Sequence, residues 1–421
     1  MKLLLKNVKI FDQSSAHHLS VKDIRIQNGL IKAIGKLTEE EGEKVFHQKG
    51  AGVSPGWLDL NCHIFEPGFE YREDIESGLN AAAKGGFAKV CYMPNTSPAI
   101  DTRAQIEFLL NNSKTFLTQI LPIGAVSKNT DGKDLAEIYE MQLAGAYAFS
   151  DGIHTIQHSG LMERALLYVK RFDGLIMNFP HDNEVARNGQ MNEGIMSTQL
   201  GLHAAPKLAE ELMVARDIYL LEHTGSRLHF NALSTAQSVE LVKKAKASKL
   251  RLSASVNVAN LLFEDTTLED FDTNYKVLPH LRNIEDLKAL KKGLKNGTID
   301  TISSGHLPLH QDEKKVEFDN AYFGMSTLEF AFAMARTATQ KDLEEDSLIE
   351  KLAINPYKVL GLEVPKIEEG AKASLSVFGL NEKVKISREN LVSKGKNTPL
   401  FDAELLGKVY GIIQNNKTNI L

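Results

Sequence analysis

The chain has 421 residues, which suffices for one large domain with a smaller companion. Of these residues 43% are hydrophobic and 24% are charged, a composition that excludes a largely disordered protein. The net charge of -5, without a basic run interleaved with aromatic residues, excludes nucleic acid as an expected partner. Only two cysteines, Cys62 and Cys91, are present, which excludes a disulfide framework and indicates a reducing compartment.

The first segment, residues 1–54, predicts a small antiparallel β unit. Hydrophobic residues alternate in LLLKNVKIFD and VKDIRIQNGLIKAIG, and Asn28-Gly29 marks a tight hairpin turn. The N-terminus has neither a small-residue cleavage site nor an apolar run long enough to cross a bilayer. We therefore expect a cytoplasmic protein with no membrane partner.

After Pro55, short apolar strands alternate with amphipathic helices up to about residue 360. The candidate strands are GWLDLNCHI, KVCYMPN, QILPIGAV, AYAFSDG, LIMNFP, RLHFNALS, LRLSASVN and TIDTISSGH. This rhythm predicts an α/β fold, a (β/α)8 TIM-type barrel over residues 55–360, with functional groups at the carboxyl ends of the strands. Residues 361–421 return to strands and turns, and we expect them to join residues 1–54 in a composite β-sandwich domain.

Several motifs occur in order along nearly the whole chain: PGWLDLNCHIFEPG, YMPNTSP, STAQSVELVKKAKA, KVLPHLR, NGTIDTISSGHLP and SKGKNTPL. Together they resemble the bacterial dihydroorotases of the amidohydrolase superfamily. The resemblance implies the same barrel and a zinc enzyme of pyrimidine biosynthesis that interconverts carbamoyl-aspartate and dihydroorotate. Zinc would lower the pKa of a bound water, and it requires three or more His, Asp, Glu or Cys ligands and an open position.

The positions that the resemblance assigns to zinc ligands have changed. Four of them hold residues that cannot replace an imidazole or a carboxylate: Asn61, Phe179, Ala232 and Gly305. Gly305 also removes the aspartate that the family uses as a general acid and base. We therefore expect neither catalysis nor bound zinc.

The positions that the resemblance assigns to substrate contacts are also altered. Asn95 in MPNTSP matches the family. Phe65, Leu278 and Leu309 stand where the family has an arginine, an asparagine and a histidine. An apolar side chain cannot replace the arginine fork that grips a carboxylate.

An atypical metal site remains an alternative. The residual candidate ligands are His63, Asp151, His181 and His306, and His310 could join the histidines among them at the barrel mouth. We expect a structural role for His229, because its offset of three from Ala232 turns it to the other face of a regular strand. Cys62, beside His63, is expected to be a buried, unreactive thiol.

Three functional hypotheses follow. The first is a dihydroorotase-like protein that has lost zinc and catalysis and serves as a non-catalytic partner or scaffold for aspartate transcarbamoylase, a partner implied by the resemblance alone. The alternative is an active dihydroorotase or related cyclic-amide hydrolase, with zinc in an atypical site. The third is a module that binds a neutral small molecule through Asn95 and an apolar mouth. The oligomeric state stays open, a homo-oligomer included.

Overall fold

The computed structural model describes residues 1–420, beginning with a small group of strands. They are β1 (Lys2–Ile10), β2 (Val21–Gln27), β3 (Leu30–Gly35), β4 (Lys44–His47) and β5 (Ala51–Pro55). Asn28 and Gly29, with φ of 52° and 77°, form the turn between β2 and β3. Both angles lie in the left-handed region that tight hairpin turns require. The predicted hairpin is therefore confirmed.

The next strands build the barrel. They are β6 (Trp57–Cys62), β7 (Phe87–Tyr92), β8 (Gln119–Gly124), β9 (Ala148–Phe149), β10 (Ile176–Asn178), β11 (Met191–Asn192), β12 (Ala204–Ala205), β13 (Leu228–Phe230), β14 (Leu252–Asn257) and β15 (Thr301–Ser303). All except β11 and β12, which pair only with each other, form one parallel sheet of eight strands. The His63 amide donates to the His306 carbonyl at 2.9 Å and closes β15 onto β6. The predicted eight-stranded barrel is confirmed.

Helices connect the strands, mostly where the amphipathic segments predict them. They are α1 (Ile75–Lys84), α2 (Arg103–Asn112), α3 (Ile138–Ala144), α4 (Ser159–Lys170), α5 (Asn183–Ala186), α6 (Ile195–Leu200), α7 (Leu208–Thr224), α8 (Ala236–Ala247), α9 (Val258–Leu262), α10 (Ile284–Lys295), α11 (Ala331–Thr339), α12 (Glu345–Ala353) and α13 (Asn355–Leu360). Asp74 caps α1, since its carboxylate accepts from the Ser77 amide at 2.7 Å. Across residues 1–420, none of the helices combines the length and the apolar character needed to cross a membrane.

The two ends of the chain meet in a second sheet. Its C-terminal strands are β16 (Leu375–Lys385), β17 (Glu404–Gln414) and β18 (Lys417–Thr418). The pairing order is β18-β17-β16-β5-β1-β2-β3, with β4 beside β1. Because β16 pairs antiparallel with β5, hydrogen bonding runs continuously through both terminal segments. The predicted joining of the two terminal segments in a second β domain is confirmed, and its strands form one mixed sheet.

Trp57, at the start of β6, joins the second sheet to the barrel. Its indole is buried, with ring centroids 4.7 Å from Phe332 on α11 and 5.3 Å from Phe378 on β16. Its amide donates to the Ser376 hydroxyl at 2.9 Å. These contacts fix the strand whose carboxyl end carries Asn61 and His63.

Candidate functional site

The carboxyl ends of the barrel strands surround a cavity, called here the mouth cavity, that is lined by neutral groups. Four asparagines line it: Asn61, Asn231, Asn257 and Asn260. His63 is the one histidine on its wall, and within residues 1–420 no Asp, Glu, Lys or Arg lines it. The cavity therefore offers amide donors and acceptors without a fixed charge.

Two asparagines close the centre of this cavity. The Asn61 side-chain amide donates to Asn257 Oδ1 at 3.2 Å. Gly305 lies opposite with φ of 62°, and a Cβ added there would be 2.5 Å from Asn257 Cγ. Asn257 thus fills the space into which a side chain at position 305 would project. Asn257 was not predicted as a site residue, although it is a polar residue at the end of the apolar strand SASVN, which is a usable signal.

The other two altered ligand positions make the wall apolar. The Phe179 ring is buried, lines the mouth cavity and stacks on His181, with centroids 5.8 Å apart. Ala232 also lines the cavity, and its amide donates to the Ser255 hydroxyl at 3.0 Å. Neither residue offers a donor atom that zinc could use.

His63 is a neutral imidazole. Burial, with added repulsion from His306 and His154, lowers its pKa to about 3. Its Nδ1 has no hydrogen-bond partner within residues 1–420. The ring stacks on Phe65 with centroids 6.1 Å apart. A neutral imidazole can still accept a hydrogen bond or bind a metal, but here it stands alone.

His306 faces away from the mouth cavity. Its Nδ1 accepts from the amides of Thr327 at 3.1 Å and Leu328 at 3.3 Å, which leaves the ring proton on Nε2. Nε2 lies 3.6 Å from Glu73 Oε2, and both side chains are fully buried. This pair supports the barrel from outside the cavity. Glu73 was not predicted, because only the folded chain brings it beside His306.

Asp151 and Asn95 are occupied by neighbouring loops. The Asp151 carboxylate accepts from the amides of Val126 and Ser127, both at 2.9 Å, and from the Ser127 hydroxyl at 2.6 Å. Burial nevertheless raises its pKa to about 6. The Asn95 side chain donates to the Asp151 carbonyl at 3.0 Å and accepts from the Ile153 amide at 3.1 Å. Both residues therefore hold the backbone at the strand ends.

Three further histidines lie apart from one another. His181 is partly buried, and burial followed by the charge of Arg282 lowers its pKa to about 4. His229 Nδ1 is 2.8 Å from the Ser253 hydroxyl on the neighbouring strand, as expected for a structural histidine. His310 is partly exposed, with Nδ1 3.3 Å from Asp312 Oδ2.

The residues around the mouth cavity do not fit zinc. Among the four residual candidates His63, Asp151, His181 and His306, only His63 lines the cavity. Across residues 1–420, no three His, Cys, Asp or Glu side chains are grouped so that they could hold a metal ion. Asparagine oxygens are weak zinc ligands beside imidazole or thiolate. No chemical step is therefore derived through a metal.

The altered substrate positions are apolar in the structure as well. Phe65 is buried, and the Arg72 guanidinium lies 5.1 Å from its ring centroid. Arg72 Nε also donates to both carboxylate oxygens of Glu313, at 2.9 and 3.1 Å, so this cation is already paired. Leu278 lines the mouth cavity and Leu309 is buried. A substrate carboxylate would find no free cation there.

Comparison with known proteins places the chain among relatives of the same length. A model of the "Dihydro-orotase-like" family matches residues 50–238. A protein named dihydroorotase from Ruminiclostridium cellulolyticum is 41% identical over 412 residues, which are 97% of this chain and 96% of that protein. Another, from Acetivibrio thermocellus, is 39% identical over 416 residues, covering 98% and 97%.

Solved structures agree on the fold. An L-hydantoinase from Arthrobacter aurescens has a TM-score of 0.87 at 21% sequence identity, covering 99% of this chain and 95% of that one. A D-hydantoinase from Thermus sp. has a TM-score of 0.83 at 21% identity, with the same coverage. At this identity the likeness concerns the barrel and the terminal sheet alone. On the sequence relatives and the shared fold, the chain belongs to the dihydroorotase family.

Proposed function

We propose that this protein serves pyrimidine biosynthesis as a dihydroorotase-family protein without zinc-dependent hydrolysis, in the role of a non-catalytic partner. The observation that carries the proposal is the contact of Asn61 with Asn257 beside Gly305. These neutral side chains take up the space in which a metal ligand and a proton-transferring carboxylate would have to stand.

The chemistry explains why these changes matter. Opening an unstrained cyclic amide near neutral pH needs an activated water and a group that moves protons. His63 is a lone buried imidazole, and Asp151 is already bonded to three donors. The carboxylate of dihydroorotate would also lose water without gaining a cation at Phe65 or Leu309, which costs free energy.

The test uses one preparation of the full chain for two measurements. Zinc is determined by elemental analysis, and hydrolysis of dihydroorotate is followed in the same sample. We expect far less than one zinc per chain and no turnover above the buffer rate, including after incubation with added zinc. One zinc per chain together with sustained turnover would contradict the proposal.

The partner is a separate part of the proposal. The sequence resemblance suggests aspartate transcarbamoylase, and its test is co-purification of the two full-length proteins from the same cells. A stable complex supports the scaffold role. If the purified proteins stay separate at micromolar concentration, that role is wrong whatever the zinc measurement shows.

An active dihydroorotase, or a related cyclic-amide hydrolase, is the second candidate. Identity of 41% over 97% of the chain to a protein named dihydroorotase favours it. It would require zinc to draw His63 and other donors together by moving the strand-end loops. In that case His63→Ala would abolish both zinc and turnover, whereas His229→Ala, a change in the barrel wall, would leave zinc bound.

A further inference from the structure

A second cavity, called here the basic cavity, lies beside the barrel mouth, between the loop after β15 and the segment before β17. It has a volume of about 830 Å³, including the part open to solvent. Five cationic residues line it: Lys314, Lys315, Arg388, Lys394 and Lys396. Within residues 1–420 no carboxylate lines it, although acidic residues outnumber basic ones, 54 to 49, in the whole chain.

Most of these cations lack a carboxylate partner. Lys394 is paired with Asp74. Lys315 Nζ donates instead to Gln311 Oε1 at 3.2 Å, and Lys396 donates to a backbone carbonyl. The Arg388 guanidinium lies 5.4 Å from the ring centroid of Phe401. Apart from Lys394, these cations therefore face one space without a directly paired carboxylate, and like charges around one space repel one another.

Lys314 differs from the exposed cations of the cavity because its side chain is buried. Its Nζ donates to the carbonyls of Thr273 at 2.7 Å and Lys276 at 3.1 Å, and an ammonium has a third donor to place. Within residues 1–420 no carboxylate oxygen lies within 4.0 Å of it. Asp272 and Glu313 act on this ammonium only from beyond that distance, so burial of its charge is incompletely offset.

The walls of the basic cavity are already in place. Asn397 Oδ1 accepts from the Leu309 amide at 2.9 Å, and its Nδ2 donates to the Leu307 carbonyl at 3.1 Å. The Thr273 hydroxyl donates to the Lys314 carbonyl at 2.6 Å. These bonds join the C-terminal segment at Asn397 to the loop after β15, and that loop to the segment at Thr273. Binding of a ligand would therefore not carry the entropic cost of ordering these segments.

We propose that the basic cavity binds a small phosphorylated molecule through its phosphate or pyrophosphate group. A group with several anionic oxygens can accept from Lys314, Lys315 and Arg388 together, which a single carboxylate cannot do. The volume accommodates a diphosphate with an attached organic group. The site is separate from the mouth cavity, and the proposal holds whether or not the protein binds zinc.

The test is calorimetric titration of the full chain, at low ionic strength and without added metal, with pyrophosphate and with ADP. Arg388→Gln and Lys315→Gln each remove one exposed lining charge, and we expect each to weaken binding about tenfold, or 1.4 kcal/mol. Lys383→Gln and Lys385→Gln are the matched controls, because they remove the same charge from β16 outside the cavity. We expect the controls to stay within about twofold.

The outcomes decide the proposal and the source of the phosphate. Tighter binding of ADP than of pyrophosphate identifies a nucleotide-like ligand, and equal binding identifies the diphosphate group as the recognised part. If neither probe binds at millimolar concentration, or if the β16 controls weaken binding as much as the cavity variants, the proposal is wrong. The zinc and turnover measurements are independent of this result.

Discussion

The mouth cavity and the basic cavity are neighbours that differ in charge: the first is lined by neutral side chains and the second by cationic ones. In the mouth cavity, Asn61 and Asn257 satisfy each other, and His63 is held neutral by burial. In the basic cavity, Lys314 and Arg388 carry positive charges, and within residues 1–420 neither is paired with a carboxylate. Both cavities border the loop that follows β15, so a single barrel end presents one surface without charge and one with excess charge.

The two cavities differ in how far the side chains of the protein satisfy one another. In the mouth cavity, Asn257 takes up the space beside Gly305, since a Cβ there would be 2.5 Å from Asn257 Cγ. The basic cavity is open, and it is lined by cationic side chains. The first arrangement is complete without a ligand, whereas the second gains free energy when an anion arrives.

The largest expected effect is in the mouth cavity. Gly305→Asp should destabilise the protein by about 3 kcal/mol, because the new side chain meets Asn257 and forces a left-handed backbone on a residue other than glycine. Gly297→Asp is the control, since Gly297 has φ of 79° with no atom within 4 Å of the added Cβ. It should cost about 1 kcal/mol.

Urea unfolding of both variants measures this difference. Adding Asn257→Ala to Gly305→Asp should recover at least half of the loss, because the smaller side chain vacates the space. Equal stability of the 305 and 297 variants would show that Asn257 does not block the mouth cavity.

A smaller effect is expected where the mouth is anchored to the barrel. Asp59 is fully buried, and it accepts from the Ser304 amide at 2.9 Å and from the Ser304 hydroxyl. Ser304→Ala should cost about 2 kcal/mol, because the buried carboxylate loses a donor. The adjacent Ser303→Ala should change the unfolding free energy by less than about 0.5 kcal/mol, since that buried hydroxyl has no partner within residues 1–420. Equal urea midpoints for the two variants would contradict this role of Asp59.

The smallest expected effect is the pH dependence of the basic cavity. Burial and the charge of Lys276 lower the pKa of Lys314 to about 7, while Asp272 and Glu313 oppose the shift. The ammonium is therefore present below pH 7 and is lost as the pH rises above it, so anion binding should weaken by up to about eightfold between pH 6.5 and 8.

Titration with pyrophosphate in two buffers of different ionisation enthalpy would also detect proton uptake at pH 8. Lys314→Met supplies the baseline, because it retains the ionisation of the ligand and of His310, which also lines the cavity. The same pH profile in this variant and in the unaltered chain would show that Lys314 does not contact the anion.

Much of the fold was predictable because local pattern and tertiary structure agree. Each of the eight candidate strands overlaps a barrel strand, and Asn28-Gly29 forms the expected turn. The terminal segments were predicted to pair, but their joining into one continuous sheet depends on the contact of β16 with β5. The short β11 and β12 were missed because, unlike the equally short β9 in AYAFSDG, they do not lie in an apolar run with a strand pattern.

For the candidate site, the sequence predicts which ligand residues have been replaced, but it does not predict how the replacing residues contact one another. Replacement of the implied ligands at Asn61 and Gly305 can be seen in the sequence, whereas the contact of Asn257 with both positions cannot. The same limit applies to the basic cavity. Lys314 and Arg388 lie far apart in the chain, and neither belongs to a basic run. Only folding brings such residues together.

The bonds of Asn397 to the mouth loop have a consequence for the order in which the barrel mouth forms during synthesis. Its side chain bonds to the backbone of Leu307 and Leu309, yet it follows every barrel strand in the sequence. Proteins made from the N-terminal end can assemble early segments first. All eight barrel strands are therefore synthesised before the residue that fastens the mouth loop, and a nascent chain can hold a barrel whose mouth is still unfinished.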